Sequence, residues 1–185
     1  MNEIDIDEIG MDETDIGKQG QVLVIGYGNT LRRDDGAGVA LAQRLVMVGR
    51  ARGWPLSLLL ITQLAPEVAA EIAQETVKAV VFVDTAFAKL NVLDGEYVAE
   101  RPTIEVRRVD VDTASPSLGH HLDPAALLTY VHLLYGRDVP AWLVTVPGSD
   151  FDHGEGFSPE VYALLDKAPE VAERLYTKIE SVIHA

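Results

Sequence analysis

The chain has 185 residues, 48% of them hydrophobic, no cysteine and a formal net charge of −14. This composition suits one packed domain and excludes a disulfide framework, a thiolate zinc site and a cysteine nucleophile. The acidity argues against nucleic acid and anionic membrane surfaces, and no leader or bilayer-length apolar run is present, so a cytoplasmic protein is expected.

Residues Met1 to Lys18 set Glu3, Asp5, Asp7, Glu8, Asp12, Glu13 and Asp15 among Ile, Met and Gly. Self-repulsion and sparse large apolar groups predict an acidic, disordered tail over 1–18. The alternation Ile4-Asp5-Ile6-Asp7 offers an edge strand as a second reading. Residues 19–185 are then expected to form a single domain.

Val22-Leu23-Val24-Ile25, stopped by Gly26, is the continuous apolar run of a strand buried on both faces. A Gly-rich turn follows, then a helix from about Gly36 to Val48. Leu56 to Ile61 is a second apolar run, and Pro66 to Glu75 reads as a helix with proline near its first turn. Ala79-Val80-Val81-Phe82-Val83 is a third buried strand, closed by Asp84. Extended stretches follow around Glu96–Ala99 and Ile104–Val109. Asp123 with Pro124 caps a helix running to about Leu134. Ala141 to Val146 is a further strand. Ser158 caps a last helical region from Pro159, interrupted near Pro169 and ending by Ile183. Strands alternating with helices predict an α/β fold, a three-layer sandwich with a mainly parallel twisted sheet and helices on both faces. Ligands of such sheets bind beyond the carboxyl ends of the strands, at a switch in strand order. The Gly26–Asp35 loop and Asp84 both fall at that edge.

Gly26-Tyr27-Gly28 after a strand suggests a dinucleotide site, but the third glycine of Gly-x-Gly-x-x-Gly falls on Leu31, and no Gly-Lys-Ser/Thr follows. Asp34 and Asp35 stand where phosphates need amides and cations. Adjacent acids before a helix also complement its dipole, and on the loop alone that is the plainer reading.

The longer run Ile25-Gly26-Tyr27-Gly28-Asn29-Thr30-Leu31-Arg32-Arg33-Asp34-Asp35-Gly36-Ala37-Gly38-Val39 resembles the signature of the hydrogenase maturation proteases. These peptidases trim the large subunit of nickel–iron hydrogenases. Three further pieces follow in the family's order. They are Val81-Phe82-Val83-Asp84-Thr85-Ala86, the loop Ser115 to Leu122 with His120 and His121, and Val144 to Pro147 with Gly156 to Val161. The resemblance implies that Asp35, Asp84 and His120 form the catalytic, metal-meeting set, with His121 the alternative to His120 by one register step. One departure stands out: many members carry an acid and glycines after the second strand, where this chain has Ile61-Thr62-Gln63-Leu64-Ala65-Pro66-Glu67.

The resemblance further implies nickel, supplied by the cysteines of a hydrogenase large-subunit precursor, with no organic cofactor. The expected reaction removes the precursor's C-terminal extension. Two carboxylates and an imidazole leave coordination positions open for substrate or water. The alternatives are a non-catalytic escort of the precursor and a nucleotide-binding α/β protein. No Gly-x-Ser-x-Gly elbow or His-Glu-x-x-His helix occurs. Ser149, Asp150 and His153 are near in sequence, which does not make a triad. Trp54 and Trp142 read as packing residues.

Overall fold

A computed structural model of the chain describes residues 20–88, 90–93, 96–99, 102–111 and 122–183. The tail expected over 1–18 lies outside these residues. The elements run β1 (Gln21–Tyr27), α1 (Ala37–Ala51), β2 (Leu56–Ile61), α2 (Val68–Ile72), β3 (Val77–Phe87), β4 (Leu90–Leu93), β5 (Glu96–Ala99), β6 (Glu105–Arg108), α3 (Pro124–Tyr135), β7 (Ala141–Gly148), α4 (Pro159–Leu165) and α5 (Ala168–Ile183). A single 3-10 turn, Arg33–Gly36, leads into α1.

The main sheet has the order β2-β1-β3-β7-β6, with β6 antiparallel to β7 and the other pairs parallel. A second, two-stranded antiparallel sheet joins β4 and β5. Alternation along each strand splits the core in two. Val22, Val24, Val81, Val83, Val144 and Val146 pack with Leu41 and Leu45 of α1, Val161 and Leu164 of α4, and Leu175 and Ile179 of α5. Leu23, Ile25, Val80, Phe82 and Leu143 pack with Ile72 of α2 and Leu127 and Val131 of α3. Apolar residues at successive positions are therefore required in β1 and β3, which explains their uninterrupted runs. Leu45 and Phe82 are fully buried, and truncating either to Ala would cost about 3 kcal/mol. This is the predicted three-layer sandwich.

Local chemistry sets the ends. The Asp123 carboxylate accepts the Ala126 amide at 2.8 Å, and the Ser158 hydroxyl accepts that of Val161 at 3.4 Å, so both predicted caps are present. The last helical region breaks after Leu165 and resumes at Ala168, with Pro169 in the first turn of α5. Trp142 is buried and Trp54 stacks on Tyr176 with centroids 4.3 Å apart, both in packing roles.

Two expectations need correction. The helix expected over Pro66–Glu75 contracts to Val68–Ile72. The chain turns there into β3, the Val77 amide donating to Gln74 O at 2.9 Å, and Arg137 donates to the carbonyls of Ala73, Gln74 and Val77 around that turn. Asp84 does not close its strand: β3 leaves β1 at Val83 but stays paired with β7 from Asp84↔Thr145 to Phe87↔Gly148. Past Val83 the strand leaves the fully buried core: Asp84 is half-buried, and Ala86 and Phe87 are exposed.

Chain order places the crevice. From β1 the sheet grows one way to β2 and the other way to β3, so the switch point lies between the carboxyl ends of β1 and β3.

Candidate functional site

The loop after β1 folds tightly over that crevice. Gly28 has φ 141°, and a Cβ there would lie 2.0 Å from the Asp35 carbonyl oxygen, so only glycine lets the loop close. The Asn29 amide donates to Asp35 Oδ2 at 2.9 Å, and the Asn29 side chain accepts the Leu31 amide at 3.0 Å. At the start of α1, Gly38 lies against the strands: a Cβ would meet Tyr27 O and Val83 O at 2.8 Å and Asp84 Cα at 2.9 Å.

The two consecutive acids diverge. Asp34 is fully buried. Its Oδ2 accepts the amides of Ser149 and Asp150, each at 2.9 Å, and its Oδ1 accepts that of Ser158 at 2.7 Å. Burial alone would raise its pKa, but the bonds from Ser158, Asp150 and Ser149 together lower it below the ordinary carboxylate value. Asp34 thus ties the β7–α4 connection to the β1 loop. Asp35 is half-buried and faces Asp84 closely enough for its charge to act there.

Asp84 is half-buried on β3. Its Oδ1 accepts the Thr85 amide at 2.7 Å, and the Tyr27 phenol donates to the same carboxylate. Burial pushes its pKa up to about 6, the two hydrogen bonds oppose that rise, and the Asp35 charge adds to it. Tyr27 is itself raised above the usual phenol range, by burial first and then by the Asp84 charge. The Thr85 hydroxyl accepts the Gly38 amide at 2.9 Å and makes a long 3.5 Å bond to the Asp35 carbonyl. One hydroxyl therefore links α1, the acid loop and β3.

Of the three residues singled out in the sequence, Asp35 and Asp84 come together. His120, with its alternative His121, lies outside the described residues. Just beyond these histidines in sequence, the charge of Asp123, the α3 cap, reaches the Tyr27 phenol. Among the described residues no three His, Cys, Asp or Glu side chains gather as a metal site. Ser149 and Asp150 give their amides to Asp34, the Asp150 carboxylate pairs with Arg33, and His153 is exposed, so these residues form no triad. His132 pairs with Asp138 at 2.8 Å. Gln63 and Glu67 are exposed.

Sequence reasoning missed Tyr27, Thr85 and the structural task of Asp34. A signal for Tyr27 was present: Leu23, Ile25 and Tyr27 alternate on β1 as Val80, Phe82 and Asp84 do on β3, which aims Tyr27 and Asp84 at one face once the strands pair. Chemically the crevice offers two acceptor carboxylates, held from behind by backbone amides and a phenol, one of them with raised proton affinity.

Solved structures share this architecture. The hydrogenase maturating endopeptidase HybD from E. coli matches with a TM-score of 0.58 and 22% identity over 88% of this chain and 94% of that one. The [NiFe] hydrogenase maturation protease HycI from Thermococcus kodakarensis KOD1 matches with a TM-score of 0.54 and 21% identity, over 89% and 96%. The hydrogenase 2 maturation peptidase from a Thaumarchaeota archaeon gives 0.51 and 21%, over 84% and 97%. The chain has the fold of these peptidases across nearly their whole length. No protein-family model matches it, and no curated protein matches it by sequence search.

Proposed function

We propose that this chain is a hydrogenase maturation endopeptidase that removes the C-terminal extension of a nickel-loaded large-subunit precursor in the cytoplasm. One observation carries the reading. Two carboxylates distant in sequence, Asp35 and Asp84, meet at the switch point of a fold shared with such peptidases, one of them inside a loop that resembles the family signature. No described helix is long and apolar enough to cross a membrane.

The nickel belongs to the substrate, held by precursor thiolates. Asp35, Asp84 and His120 meet its open face, a mixed oxygen and nitrogen set that suits a borderline divalent ion completed by sulfur. When bound, the metal supplies Lewis acidity at the scissile carbonyl. The chain's own residues do the rest. The Asn29 amide and the Tyr27 phenol fix the directions of the two carboxylates. Asp84, held by the Thr85 amide and the Tyr27 phenol, accepts the proton of the attacking water and returns it to the leaving amine.

The test is incubation with nickel-loaded precursor, followed by mass measurement. Loss of the C-terminal extension is expected. Intact precursor held in a tight complex would replace the peptidase with the escort reading.

A further inference from the structure

β3 outruns β1, and the overhang has a defined polarity. The Val80 amide donates to Pro140 O at 3.0 Å and the Ala88 amide to Gly148 O at 2.9 Å. The register between these points is unbroken, so even-numbered residues of β3 turn their backbone groups to β7 and odd-numbered ones to the β1 side. The last β1 pairing is Gly26↔Val83. Thr85 and Phe87 therefore address a side where no strand follows among the described residues. The Thr85 amide is taken by Asp84 Oδ1. The Thr85 carbonyl, the Phe87 amide and the Phe87 carbonyl have no partner among the described residues.

We propose that this edge, from Thr85 to Phe87, binds an extended segment of the precursor polypeptide as an added strand and leads it past Asp84. The inference rests on the peptidase reading and names how its substrate is held. The amide and carbonyl of exposed Phe87, with the carbonyl of the buried Thr85 at their inner end, form a row at strand pitch that is complementary to the main chain of an extended peptide. Proteins guard open edges with lysine, proline or bulges, and this edge carries none of them. Instead it ends in Phe87, 75% exposed, whose ring lies 4.3 Å from that of Phe151. The pair offers an apolar contact to a side chain of the incoming strand, and Asp84 lies one residue from the first free carbonyl.

Strand parity supplies the test. Phe87→Pro removes the amide that faces the open side and spares the β7 ladder, whereas Phe87→Ala removes only the ring. With nickel-loaded precursor, Phe87→Ala is expected to raise KM a few-fold and Phe87→Pro about tenfold further, kcat holding in both. Thermal unfolding of both variants checks that the fold is kept. Amide exchange gives a second measure on the unmodified protein: the precursor should slow exchange at Phe87 about tenfold or more. Cleavage by the unmodified protein with an unprotected Phe87 amide, or equal KM for the two variants, overturns the added strand and leaves the peptidase standing. Protection at Phe87 without cleavage keeps the strand and overturns the peptidase. Neither binding nor cleavage overturns both.

Discussion

Asp34 and Asp84 are both carboxylates at the carboxyl edge of one sheet, and they live in opposite ways. Asp34 is sealed from water and takes three backbone amides, which hold it charged. Asp84 keeps an open side, takes one amide and one phenol, faces another acid and holds its proton to about pH 6. Burial alone does not decide a buried acid's chemistry; the count of donors against the neighbouring charge does. A fully satisfied carboxylate stabilises the fold, and an under-satisfied one is available for work at the cost of stability.

The largest expected effect breaks the pair by function. Asp84→Asn, Asp35→Asn and His120→Ala should each lower kcat for precursor cleavage by about a thousandfold or more, while Asp34→Asn, measured on its folded fraction, stays within about tenfold of the unmodified protein. Full activity in Asp84→Asn would remove it from the proposed site. Next comes stability. Asp34→Ala strands three amides and should lower the unfolding free energy by about 4 kcal/mol in denaturant titration. A change below about 1 kcal/mol would mean that water replaces the carboxylate.

The third effect has the opposite sign. Asp84 rises from the ordinary 3.8 to about 6, roughly two units at 1.36 kcal/mol each, so Asp84→Asn should stabilise the metal-free protein above pH 7 by up to about 3 kcal/mol. The pH dependences separate the two acids further. Asp84's contribution is present in full below pH 3.8 and is lost as pH rises through about 6. Asp34's lowered pKa works the other way: its contribution is present above pH 3.8 and is lost as pH falls through its folded value. Unfolding followed from pH 3 to 8 should lose the first dependence in Asp84→Asn and the second in Asp34→Asn. The smallest effect belongs to Tyr27→Phe. Loss of the phenol's bond frees the direction of Asp84, so cleavage should slow a few-fold, and in the metal-free protein Asp84 should hold its proton to a higher pH, read from its titration by NMR.

The sheet, its layers and most helix starts could be read in advance because each rests on local chemistry: apolar runs, Asp123 and Ser158 as caps, proline behind each cap. The end of β3 could not. Its apolar run stops at Val83, and pairing with β7 carries the strand on through Asp84-Thr85-Ala86-Phe87, a long-range fact with no local trace. The turn after the short α2 is similar, since the Arg137 that bonds its carbonyls arrives from far along the chain. Within the site, nothing in the pair Asp34-Asp35 says which acid turns inward, for either complements the helix dipole. Only the resemblance singled out Asp35, and it is Asp35 that faces Asp84.

The close packing at the start of α1 also predicts which damage a second mutation can repair. A Cβ at Gly26 would collide first with the Cβ of Ala42, at 2.5 Å. That neighbour is a side chain, and the next contacts, Leu60 Cδ2 at 3.1 Å and Gly38 O at 3.2 Å, are milder, so Gly26→Ala should be partly rescued by Ala42→Gly in a suppressor screen. The three atoms nearest a Cβ at Gly38 are Tyr27 O, Val83 O and Asp84 Cα, backbone atoms that no codon change removes. Gly38→Ala should return no intragenic suppressor, leaving the approach of α1 to Asp84 without an alternative genetic solution.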